Sequence, residues 1–163
     1  MPLAGCDNVW QSHSLGAAML ETTTIEFLIL ANHVEAANGL LYISGGGWTE
    51  HYRRLPKGGA PTPSHFGVGI SVLVPWHETN QPHHLAVQVE NEDATNLVAK
   101  VDADINVGRP PNLPPGTAQH AIVSLSVDTI FPAPGGYRVV ARLDDNKDVK
   151  TWPFRIHDVV APT

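Results

Sequence analysis

The stretch Phe131–Ile156, FPAPGGYRVVARLDDNKDVKTWPFRI, decides the fold. Pro132-Ala133-Pro134-Gly135-Gly136 opens it with turn chemistry. Tyr137, Val139, Ala141 and Leu143 then alternate with Arg138, Val140 and Arg142. Successive side chains of a strand point to opposite faces, so one face is aromatic and aliphatic and the other carries the arginines. Asp144-Asp145-Asn146 supplies the next turn, and Trp152, Phe154 and Ile156 alternate with Thr151, Pro153, Arg155 and His157. Asp144 to Asp148 looks like part of a calcium loop, but it lacks the central Gly and final Glu of that motif. It reads as the turn of an antiparallel hairpin with one buried face.

The same period-2 pattern runs outward toward the N-terminus. It appears in Val68, Ile70, Val72 and Val74, then in Leu85, Val87 and Val89. It continues in Leu97, Ala99, Val101, Ala103 and Ile105, and in Ala121, Val123, Leu125 and Val127. Thr23–Ala31, TTIEFLILA, is apolar on both faces, with Ile25, Phe27 and Ile29 against Leu28 and Leu30, as suits a central strand. Ala37-Asn38-Gly39 is a tight-turn signal, and Leu40–Ser44 returns as the hairpin partner. Gly45-Gly46-Gly47 ends that strand, and the polar stretch from Trp48 to about Ser64 reads as a long loop. No helical period appears after Thr23. About eight short strands separated by turn residues predict an all-β fold, an antiparallel two-sheet sandwich. Residues 1–22 read as a flexible N-terminal arm, and Met19, just before the patterned region, is an alternative start. Residues 23–163 read as a single domain.

The composition narrows the function. Net charge is −6 with histidines neutral, which argues against nucleic acid, because phosphate binding needs clustered Lys and Arg. The single cysteine, Cys6, leaves no intramolecular disulfide and favours the cytoplasm. Leu3-Ala4-Gly5-Cys6 looks like a lipoprotein cleavage box, but the apolar run of about 7–15 residues that should precede one is missing. No apolar run approaches the roughly 18 residues of a membrane span.

The Phe131–Ile156 segment resembles the last hairpin of immunoglobulin-like and fibronectin-type sandwiches. That resemblance implies that Tyr137 packs at the sheet corner with its hydroxyl on a nearby backbone group. The cysteine and tryptophan pattern of true immunoglobulin domains is absent, so the likeness concerns architecture and not activity. A wider resemblance spans residues 25–156: an apolar strand, the Gly-Leu-Leu-Tyr-Ile return, Gly-Gly-Gly-Trp, Val-Pro-Trp, Glu-Thr-Asn and the Pro-Gly-Tyr hairpin. These features are similar to a family of small uncharacterised bacterial proteins with no assigned activity.

No nucleophile elbow, phosphate loop or His-Glu-x-x-His occurs, so the reading leans away from an enzyme. Trp48, His51, Tyr52, Arg53 and Arg54 bring hot-spot residue types into the long loop and form the expected binding surface. The function they suggest is a non-catalytic module that binds a protein partner or pairs as a homodimer. One alternative is a metal-binding protein or metal-dependent enzyme using His77, Glu78, His83 and His84, imidazole and carboxylate being a zinc or nickel set. In a strand, adjacent His83 and His84 would point to opposite faces. Another alternative is a carbohydrate-binding module presenting Trp and Tyr to sugar rings. No resident cofactor is implied. Asp102 and Asp104 share one strand face with Lys100, as ordinary solvated residues do.

Overall fold

A computed structural model of the chain describes residues 22–56 and 58–160, the Val160 side chain excepted. Cys6, Met19, Lys57 and all but the last residue of the expected arm lie outside the described residues. In chain order the strands are β1 (Thr24–Ala37), β2 (Leu40–Gly46), β3 (Glu50–Leu55), β4 (Ser64–Val74), β5 (Pro82–Asn91), β6 (Leu97–Asn106), β7 (Gln119–Thr129), β8 (Gly135–Leu143) and β9 (Asp148–Val160). A single 3-10 turn, Trp76–Glu78, joins β4 to β5. The described residues are all-β, with two sheets in the orders β2-β1-β4-β7 and β3-β9-β8-β5-β6.

The alternating rows build the core between these sheets. Val68, Ile70, Val72 and Val74 face Leu85, Val87 and Val89, and Tyr137, Val139, Ala141 and Leu143 lie beside Phe154 and Ile156, all buried. Trp48, Phe66, Phe131, Tyr137 and Phe154 close one end, their ring centroids 4.8 to 6.2 Å apart in mostly edge-on contacts. The Tyr137 hydroxyl donates to the Ala133 carbonyl at 2.8 Å, as the hairpin resemblance implied.

Three features depart from the sequence expectations. First, the described residues hold nine strands where about eight were expected, because the expected loop from Trp48 to Ser64 contains β3. β3 pairs with β9 in parallel, so the five-stranded sheet is not wholly antiparallel. Glu50, Tyr52 and Arg54 point outward while His51, Arg53 and Leu55 turn inward. The inward row is mostly polar, so no apolar period marks the strand.

Second, a bulge between Ile25 and Phe27 shifts the β1 register. Ile25 therefore joins Leu28 and Leu30 in the core, and Phe27 stays 40% exposed instead of sharing the Ile25 face. The Ile25 N–H donates to Asp148 at 2.7 Å.

Third, the four-stranded sheet curls over itself. The Asn38-Gly39 turn has positive φ at both residues, 53° and 74°, the backbone a two-residue hairpin requires. The far end of that hairpin folds back over the outer face of β4 and β7. There the Ala36 N–H donates to the Ser124 hydroxyl at 3.2 Å. Glycine at 67 and 69 makes room. A Cβ at Gly67 would lie 2.8 Å from the Val34 nitrogen, and one at Gly69 2.8 Å from Leu41 Cδ2. Glycine inside a strand often marks such a close approach.

Candidate binding surface

β3 divides the five expected surface residues between two faces. Trp48, just before β3, is half-buried against Phe66, Phe154 and His51. Its carbonyl accepts the Trp152 indole N–H at 3.0 Å. His51 faces inward, 3.2 Å from the Ser64 hydroxyl. Burial first, and then the Arg53 charge, hold the His51 ring below the usual histidine range. Arg53 is buried at 4% exposure. It donates to Asp158 at 2.5 Å and to the Phe131 carbonyl, tying β3 to β9 and to the chain before β8. Tyr52 and Arg54 are the two that reach solvent, Tyr52 with 65% of its surface exposed.

On this outer face Tyr52 stacks on His157 of β9, with ring centroids 4.8 Å apart and planes 18° from parallel. His157 in turn pairs with Glu50. Beside them a cleft of about 420 Å³ runs between β9 and β8, lined by Pro153 and Gly136 with Glu50, Glu92, Arg138 and Arg155 around it. Glu92 fills the space a side chain at position 136 would take, since a Cβ there would meet its carboxylate at 2.0 Å. Arg138 donates to Glu90 at 2.8 Å, while Arg155 stands 3.9 Å from Glu92 and is half-exposed. The face thus presents an aromatic anchor and charges of both signs on rigid strands.

The histidine loop is organised differently. His83 is 3% exposed, and its two ring nitrogens meet Asp144 Oδ2 at 2.8 Å and the Glu78 carbonyl at 2.9 Å. Both partners are acceptors, so the ring satisfies them only as a doubly protonated imidazolium. Burial opposes that charge, but the bonds to Asp144 and Glu78 and the two carboxylate charges outweigh it and raise the pKa above the usual histidine value. Asp144 also accepts the His84 N–H at 2.8 Å. Burial works against its charge too, yet the His83 and His84 bonds hold its carboxyl below the usual range. Glu78 accepts the N–H and hydroxyl of Thr23 at 2.7 and 2.5 Å. These bonds, with Lys147 and His83 nearby, overcome burial and lower its pKa.

His84 points to the opposite face, as adjacency in a strand requires. Its hydrogen bond to Asp104 leads the causes that raise its pKa, with Asp102 adding to it. Lys100 first, and then His84, lower the pKa of Asp102. His77 is exposed on the 3-10 turn. Trp76 beside it carries the Arg109 guanidinium 4.9 Å above its ring. Both His83 nitrogens being engaged, His77, Glu78, His83 and His84 do not converge. Among the described residues no three His, Cys, Asp or Glu side chains group as a metal set.

Sequence reasoning missed one constellation. Ser71 on β4 donates to Glu26 at 2.8 Å, and Glu26 also receives His120 Nδ1 of β7 at 2.7 Å. Three strands contribute one residue each, so no sequence spacing could announce it. The geometry does not activate the serine. Its hydroxyl and the carboxylate meet the same ring nitrogen, Ser71 at 3.4 Å, whereas a triad needs one partner on each nitrogen.

A family model matches residues 26–157, from the β1 bulge to the Tyr52–His157 stack. The chain belongs to DUF6941, a family of unknown function. The match covers most of both sheets, β3 included. No curated protein matches the chain. Among its described residues no helix is long and apolar enough to cross a membrane.

Proposed function

We propose that this DUF6941 chain is a non-catalytic binding module that takes a protein partner on the outer face of β3 and β9. The observation that carries the reading is Tyr52, the most exposed large hydrophobic residue among the described ones, braced by His157 beside the Pro153–Gly136 cleft. Tyr and Arg anchor interfaces because they bury large area at low cost in side-chain freedom. Most of the acid–base pairs elsewhere tie one strand to another, as Arg53–Asp158, His120–Glu26 and Arg138–Glu90 do.

The reading includes an immunoglobulin-like scaffold. The strand order β1-β4-β7 against β9-β8-β5-β6, with β3 running parallel to the last strand, supports it, as does the Tyr137 corner. The cytoplasm is the proposed compartment, consistent with a single cysteine.

A photo-crosslinking side chain at position 52 tests the reading, with the same group at exposed Asn112 as control. Each protein is irradiated in extract of its own organism. A discrete adduct from position 52 and none from 112 is the expected result. Equal labelling from both positions, or none from 52, refutes the surface.

A further inference from the structure

The partner itself can be read from the free edge of β3. β3 is the terminal strand of its sheet, bonded on one side to β9. The Thr49 carbonyl accepts the Arg155 N–H of β9 at 2.8 Å. Backbone groups of successive strand residues alternate in direction, so residues 51, 53 and 55 also aim at β9. The N–H and C=O groups of Glu50, Tyr52 and Arg54 therefore aim at the open edge. The side chains of these same three residues stand on the exposed face.

We infer that this edge pairs with a second copy of the chain, antiparallel about a two-fold axis through Tyr52. The inference rests on the proposed role of the β3 face and names its occupant. The sequence Glu50-His51-Tyr52-Arg53-Arg54 is self-complementary in charge about its centre. With Tyr52 opposite its own copy, Glu50 of each chain stands opposite Arg54 of the other. Two ion pairs then flank two adjoining tyrosine rings, and directly opposed side chains on one face are the contacts that stabilise a sheet. All three opposed positions are backbone-bonding positions, so about six N–H···O bonds close the edge. The contact is isologous, which closes at two copies and does not propagate. It joins two five-stranded sheets into one and removes an open edge that would otherwise pair non-specifically. The local complementarity also offsets the −6 charge that otherwise keeps two copies apart.

Sedimentation of the purified full chain over about 1 to 500 µM tests this, the range that brackets a weak to moderate dimer. Wild type is expected to shift with concentration from 17.6 kDa to twice that mass. Glu50→Arg or Arg54→Glu alone places like charges opposite each other twice and is expected to weaken the dimer about tenfold or more. The double variant restores opposite pairing and is expected to recover most of the affinity. Tyr52→Pro removes an N–H that points away from β9, so it is expected to keep the fold and abolish the dimer. A wild type that stays at 17.6 kDa throughout overturns the inference, as does a double variant no better than either single one. If that happens while position 52 still crosslinks to a different protein, the binding face stands and only its occupant is wrong. If position 52 gives no adduct as well, both readings fall.

Discussion

Asp144→Asn isolates the buried clasp beneath the 3-10 turn. Asp144 makes two bonds through its side chain, one to the His83 ring and one to the His84 N–H. Asparagine keeps the shape, tolerates the positive φ of 44° at this position, and retains an oxygen for His84. It removes the negative charge facing His83. A hydrogen bond between charged groups contributes about 1.5–3 kcal/mol, and the 3% exposure of His83 leaves little water to replace it. The loss should be about 2 kcal/mol near pH 5.5, where His83 is charged in both folded and unfolded chains. The folded pKa of His83 is raised above its unfolded value of about 6.5. Its contribution is therefore complete below that value and fades as pH rises through the folded pKa. Asp144 has the opposite sign: its pKa is lowered, and its contribution fades as pH falls through the folded value. Urea unfolding of both proteins at about pH 5.5 and about pH 8.5, with the His83 ring followed by NMR, reads these terms directly. The variant should show a lower His83 pKa, and its destabilisation should shrink at the higher pH. An equal or larger loss at the higher pH refutes the charged clasp.

Gly67→Ala places a Cβ 2.8 Å from the Val34 nitrogen, so the folded-back β1–β2 arm must lift; urea unfolding should show a loss of about 1–3 kcal/mol. Arg53→Met leaves Asp158 without its partner and the Phe131 carbonyl without a donor, and should cost about 3 kcal/mol, whereas exposed Arg54→Ala should stay within about 0.5 kcal/mol. Tyr137→Phe keeps the ring contacts and loses only the bond to the Ala133 carbonyl, a cost of about 1 kcal/mol by the same measurement.

Where a strand buries one aliphatic row, as in Val68–Val74 or Tyr137–Leu143, its period was visible in the sequence. Asn38-Gly39 marked its hairpin for the same local reason. β3 was hidden because its inward row holds His51 and Arg53: His51 rests on Ser64, and the burial of Arg53 depends on Asp158 and Phe131 far along the chain. The bulge in β1 was hidden because alternation gives no sign of an extra residue; its partner, Asp148, lies 123 positions away. The Gly67–Gly69 pair was present in the sequence, but what passes over it is set by how the whole sheet curls. Of the five surface residues expected from the sequence, two are exposed. Tyr52 and Arg54 face outward, while Trp48, His51 and Arg53 support the strand that carries them. The role proposed for Glu50 follows only once that strand is seen at an edge. Residue type alone drew attention to the histidine loop, where opposite faces and engaged nitrogens separate the four residues.

Backbone amide hydrogen exchange within β3 tests most directly whether its free edge is where another chain joins. The amides of His51, Arg53 and Leu55, directed at β9, should be protected at every concentration. Those of Glu50, Tyr52 and Arg54 should exchange fast at about 5 µM and become protected at about 500 µM, as a second copy closes the edge. If all three exchange fast at both concentrations, copies of the chain do not pair there. Protection of all three already at the lowest concentration, with Glu50 and Arg54 still protected in Tyr52→Pro monomers, would mean that the edge is closed within one chain, and would contradict the account.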